Sequence, residues 1–222
     1  MATFPFRSVA RVALPAAVLL AAAVSPVLSS GASAAPEVAR FQLTANPKFV
    51  NCLAQFPGDD KRPPKAEVRV ERGNLNDTLR LELHNIKPHL AFDLFTVQRS
   101  NLTASGTPDP SFKNFGLAWY QSDVEANADG EAEVAIRTVL LDQIFGFDPD
   151  VSLAPTNTFH VGFWFNKLDD ALPCDPNTKA TPFNGEHHAG PLAMISLPDA
   201  ATGLGPLCLK PDTSVSPARC DP

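Results

Sequence analysis

The residues best equipped for chemistry sit close together near the C-terminal end of the chain. Glu186, His187 and His188 fall in the polar, Gly-containing segment Thr181–Leu192. Imidazole and carboxylate groups can serve as acid, base or metal ligand. Three further histidines, His84, His89 and His160, are scattered upstream. Two histidines on one strand grip the same ion only as His-x-His, because strand side chains return to one face at every second residue. No such pair occurs. His160 lies in the aromatic run Phe159–Phe165 and shares a face with Gly162 and Trp164. Glu186, His187, His188 and His160 therefore form the candidate ligand-binding or metal set. No motif requires a cofactor, and a metal ion is the one group this set could hold. No residue is assigned as catalytic. G-x-S-x-G, H-E-x-x-H, P-loop and G-x-G-x-x-G patterns are all missing. Asp123–Gly130 alternates oxygen-bearing side chains in the manner of a calcium loop, but Ile136 stands where the closing bidentate Glu belongs. Asp129-Gly130 before an alternating run reads first as a hairpin turn.

Those side chains must be carried by strands. Glu67–Glu71 and Leu79–His84 alternate strictly between apolar and charged residues, the pattern of half-buried strands, with turn-type residues Gly73–Asp77 between them. Leu90–Val97 becomes apolar on both faces, which predicts a central strand. Gly116–Tyr120, Glu131–Thr138, Phe159–Phe165 and Leu192–Leu197 read as further strands, and Phe41–Leu43 and Phe49–Leu53 as one or two more. Val139–Phe145 is the one short helix candidate, stopped by Gly146 and Pro149. No apolar stripe of helical spacing runs for three turns. The expected fold is all-β: an antiparallel β-sandwich of about seven to nine strands, immunoglobulin-like or jelly-roll-like, with a closed barrel as the alternative.

Residues 1–34 have the order of a secretory signal peptide: Arg7 and Arg11, an apolar run from Val12 to Val24, then small residues to Ala34. Thirteen residues are too few to cross a hydrocarbon core, which takes about 20. The expected organisation is a signal peptide at 1–34, a β-sandwich domain at 35–197 and a Pro-, Gly- and Ser-rich tail at 198–222. The protein is thus expected to be secreted, with no membrane span after cleavage. Loss of two arginines takes the formal charge from −6 to −8. No basic stripe is visible, so nucleic acid and anionic membrane are disfavoured as partners.

All four cysteines, Cys52, Cys174, Cys208 and Cys220, follow the signal segment. In an exported chain an even count reads as disulfides. Four cysteines allow three pairings. Cys52–Cys174 with Cys208–Cys220 is preferred, since the second bridge closes a short loop in the tail, and Cys52–Cys208 is the competing choice. A thiolate metal site would need C-x-x-C-type spacing, which is missing.

Four segments, Phe92–Val97, Gly116–Asp123, Phe159–Asn166 and the loop from Phe183 to Leu192, together resemble a family of uncharacterised secreted proteins from high-GC Gram-positive (actinobacterial) bacteria. That resemblance implies export and a β domain and transfers no catalytic residue. The sequence leans away from an enzyme. The leading expectation is a secreted, non-catalytic β-sandwich that binds a protein, a glycan or a cell-envelope component. The alternatives are a metal-binding or redox protein built on the His187/His188 loop, and an extracellular hydrolase whose site assembles from distant residues.

Overall fold

A computed structural model describes residues 38–73, 76–137, 159–181, 189–208 and 211–220, all within one compact unit, Ala35–Pro222. The strands are β1 (Val38–Ala45), β2 (Lys65–Glu71), β3 (Thr78–His84), β4 (Ala91–Val97), β5 (Ala118–Glu125), β6 (Ala132–Arg137), β7 (His160–Phe165) and β8 (Leu192–Ser196). These eight form one antiparallel sheet in the order β5-β4-β7-β8-β1-β2-β3-β6. The fold is all-β, as the period-two patterning predicts, and the sheet curls until it is nearly a barrel.

β1 is the fold's corner. Its first half, Val38–Gln42, pairs with β2, and its last three residues, Leu43–Ala45, pair with β8. One strand thus belongs to two layers: sheet A (β1-β2-β3-β6) and sheet B (β5-β4-β7-β8-β1). At the opposite margin the layers meet through the Asn127–Gly130 turn. Asn127 Oδ1 accepts the backbone N–H groups of Asp129 and Glu131, at 2.9 and 3.0 Å. Asp129-Gly130 does make a turn, but it closes no hairpin ladder. β5 continues to the edge of sheet B and β6 to the edge of sheet A. Gly130 has a φ of 75°, and a Cβ there would stand 2.3 Å from the Ile86 carbonyl oxygen, so only glycine fits.

The core lies between the layers. Sheet A contributes Val68, Val70, Leu79, Leu81 and Leu83, and sheet B contributes Phe92, Leu94, Val161, Phe163 and Phe165. Phe92 and Phe163 stack at a tilt with ring centroids 4.6 Å apart. Phe49–Leu53 does not form a strand. Val50–Leu53 makes one helical turn, α1, which places Cys52 and Leu53 in the core. The expected β2–β3 hairpin is present in full register from Lys65↔His84 to Glu71↔Thr78. The segment Val139–Phe145 lies outside the described residues.

Both disulfides, Cys52–Cys174 and Cys208–Cys220, form as the sequence favours. The first ties α1 to the turn after β7, closing a long loop across the core. Each is of a kind that contributes roughly 2–4 kcal/mol. The residues after Pro198 are more closely integrated than their composition implies. Leu204 and Leu207 are buried, and Leu207 N–H donates to the Phe159 carbonyl at 3.2 Å. Beyond them, β9 (Pro211–Asp212) and β10 (Arg219–Cys220) make a minimal hairpin. Among the described residues no helix is long and apolar enough to cross a membrane.

Candidate functional site

His160 opens β7 on the outward side of sheet B, yet it is almost fully buried, at 3% exposure. Its Nδ1 lies 3.1 Å from both the carbonyl oxygen and the Oγ of Ser196. A carbonyl only accepts, so Nδ1 carries the hydrogen. Ser196 Oγ in turn accepts the Val161 N–H at 3.1 Å. Gly205 packs against the ring: a Cβ there would come within 3.0 Å of His160 Cδ2. Burial disfavours the imidazolium and pushes the His160 pKa down to about 4, a shift the Ser196 carbonyl only partly offsets. Burial thus holds His160 neutral, with its Nδ1 hydrogen-bonded to Ser196. The other three members of the expected set, Glu186, His187 and His188, lie outside the described residues. The residues flanking them are anchored at the end of β7: Thr181 N–H donates to the Ala189 carbonyl at 2.9 Å, and Gly190 N–H to the Phe165 carbonyl at 2.6 Å.

The remaining histidines go separate ways. His84 Nδ1 lies 3.6 Å from Glu131 Oε1, and His89 Nδ1 lies 3.8 Å from Glu125 Oε1. Among the described residues no three His, Cys, Asp or Glu side chains gather where they could hold a metal ion. The Asp123–Gly130 oxygens do not converge either, since Asn127 is occupied by its own turn.

The outer face of sheet B is covered. Phe95, Val97, Trp164, Leu192 and Ile195 form a second apolar cluster, with Leu102 and Phe115 from the segment after β4 packed over it. Trp164 meets Phe95 and Phe115 edge-on, at 5.4 and 5.1 Å. The aromatic residues that could have offered a carbohydrate platform are thus spent. Trp164 is fully buried, Trp119 packs on the core, and Tyr120 alone is exposed, at 51%. At that end Asp93 is buried and accepts a hydrogen bond from Asn166 Nδ2 at 2.9 Å. Partial burial, a hydrogen bond to Asp123 and the charges of Asp123 and Asp93 raise the Tyr120 pKa to about 12.

Among the described residues no segment covers the outer face of sheet A. Strand register aligns Arg40 with Arg69, and Arg69 with Arg80, so three arginines stand side by side across β1, β2 and β3. The next row across the same strands is Gln42, Glu67 and Glu82. These six side chains line an open depression of about 450 Å³. A second depression of about 370 Å³ is lined by Glu82, His84, Asn127, Glu131 and Glu133. The flanking charges are partly satisfied. Arg69 Nη2 contacts Glu71 Oε1, Arg80 Nη1 lies 3.5 Å from Glu133 Oε1, and Gln42 Nε2 donates to Glu67 Oε1 at 3.2 Å. Arg69 Nε, by contrast, is shielded from solvent and has no hydrogen-bond partner among the described residues. Arg40 has no carboxylate partner among them.

Like charges directly opposite one another on neighbouring strands are destabilising. The sheet holds three at once, on a chain of net negative charge. Sequence reasoning missed this row because the three arginines are separated in the chain, and only register brings them together. The signal was available for two of them: a hairpin centred on Gly73–Asp77 that pairs Glu71 with Thr78 must also pair Arg69 with Arg80.

Compared with family models, with curated proteins and with solved structures, the chain gives no match.

Proposed function

We propose that this protein is a secreted, non-catalytic binding module of the bacterial cell exterior, and that it meets its ligand on the outer face of sheet A. The observation that carries this reading is the Arg40–Arg69–Arg80 row lining an open polar depression on a sheet face that no other segment among the described residues covers. Guanidinium groups offer planar, paired donors suited to oxyanions, and a β-sheet fixes the backbone that carries them, so that binding has only the side chains to order. The signal-type leader and the two disulfides support an oxidising, extracellular location.

The reading is tested by co-sedimenting the purified protein with an insoluble bacterial envelope preparation. The wild type is expected in the pellet, and the Arg40→Gln, Arg69→Gln, Arg80→Gln triple variant in the supernatant, with no sugar or peptide released in either case. Equal pelleting of both forms, or steady release of soluble product by the wild type, would overturn it.

A further inference from the structure

We infer that the ligand of the sheet A face is an acidic polysaccharide of uronate type, bound through its carboxylates by Arg40, Arg69 and Arg80 and through its hydroxyls by Gln42, Glu67 and Glu82. The inference rests on the binding face proposed above and names the chemistry it would recognise. Three features of the face point there.

The first is the spacing of the cations. Neighbouring strands stand about 4.8 Å apart, so the row from Arg40 to Arg80 spans about 10 Å. It runs across the strands and suits a ligand that repeats its anionic group. A carboxylate accepts two parallel N–H bonds from one guanidinium. Arg69 brings an Nε donor that is held from water and lacks an acceptor among the described residues. Because that Nε is closed even to water, a ligand would meet Arg69 through the part of its side chain that is exposed.

The second is the adjoining row. Glu67 and Glu82 are acceptors only, and Gln42 both donates and accepts. Sugar hydroxyls match such groups. A diester backbone that carries no free hydroxyls does not, because it has no donors to offer. The face therefore discriminates between anions that carry hydroxyls and anions that do not.

The third is shape. The depression over the arginine row is open. An extended chain can lie along it, and no deep pocket demands a chain end. Tyr120, the exposed aromatic ring, belongs to the other sheet, so recognition here is by polar contacts rather than ring stacking.

The test is titration calorimetry of purified residues 35–222 with oligogalacturonate of defined length, alongside the fully methyl-esterified oligomer. The wild type is expected to bind the free acid, more weakly as salt rises, and to bind the ester at least about tenfold less tightly, the scale of one lost charged hydrogen bond. Arg69→Gln and Arg80→Gln are each expected to weaken binding about tenfold or more while keeping the wild-type thermal midpoint. Acid and ester bound alike, no binding of either, or arginine variants that bind as the wild type does would overturn the inference. Envelope co-sedimentation separates the two levels of failure. If oligogalacturonate does not bind but pelleting still depends on the arginines, the ligand class is wrong and the face is right. If pelleting is also indifferent to the arginines, both are wrong.

Discussion

The two sheets carry opposite outer faces. On sheet B, β4 and β7 are apolar on both sides, and the chain after β4 folds back to bury Phe95, Val97 and Trp164 beneath Leu102 and Phe115. On sheet A, β2 and β3 alternate strictly, and no segment among the described residues is packed over their outward side chains. Apolar area must be removed from solvent wherever it occurs, so a two-sided strand recruits a cover and loses its outer surface to the core. A one-sided strand is complete once its inner face is packed. Its outer side chains are then free to be chosen for something other than stability. In this molecule the strands richest in aromatic residues hold the fold together, and the plain amphipathic strands offer the surface.

That contrast can be broken most forcefully at Trp164. It is fully buried on the outward side of sheet B. Trp164→Ala should cost about 3–5 kcal/mol, read as a lowered denaturant midpoint. A loss below about 1 kcal/mol would mean that the covering segment is not part of the core.

A smaller effect is expected from pH at the same covered face. His160 titrates near 4 when folded, against an ordinary value of about 6.5. Below pH 6.5 the unfolded chain therefore takes up a proton that the folded chain refuses. Stability should fall as pH drops from about 6.5 towards 4, by about 3 kcal/mol in total, with this loss levelling off below the lower value. His160→Asn retains a donor towards Ser196 and does not titrate, so its stability should fall less steeply over that window in denaturant melts at stepped pH. Parallel slopes for the two proteins would show that His160 is not held neutral by burial.

The smallest effect belongs to sheet A. Arg80 is 41% exposed and its contact with Glu133 is long, at 3.5 Å. Arg80→Gln should change stability by no more than about 0.5 kcal/mol in the same melts. A loss comparable to that at Trp164 would assign the arginine row to the fold rather than to a ligand.

Much of the architecture was legible before any coordinates. β2, β3, β4 and β7 follow from the placement of apolar side chains, because a period of two leaves few other ways to bury Val68, Val70, Leu79 and Leu81 together. The disulfides were reachable by preference alone, since cysteine spacing permits three pairings. Three things were not legible. Phe49–Leu53 has the apolar content of a strand, but Cys52 must reach Cys174, and a single helical turn achieves that. Asp129-Gly130 carries a hairpin's residues, yet the strands it joins are claimed by different sheets, a choice made by long-range pairing with β4 and β3. The candidate site was the hardest. Histidine chemistry drew attention to His160, whose burial emerges only when Ser196 and Gly205 close over it. The arginine row is invisible along the chain because Arg40 meets Arg69 only through the β1–β2 register.

The account turns on the outer face of sheet A being the surface that meets ligand. Its most direct test is an NMR titration of residues 35–222 with oligogalacturonate, following the side-chain Nε–Hε signals of the arginines. The account predicts that the Arg40, Arg69 and Arg80 signals shift together and saturate at one ligand concentration, while the backbone signals of Leu102 and Phe115 stay fixed. Saturable shifts confined to the segment over sheet B, with the three arginine signals unmoved, would contradict it.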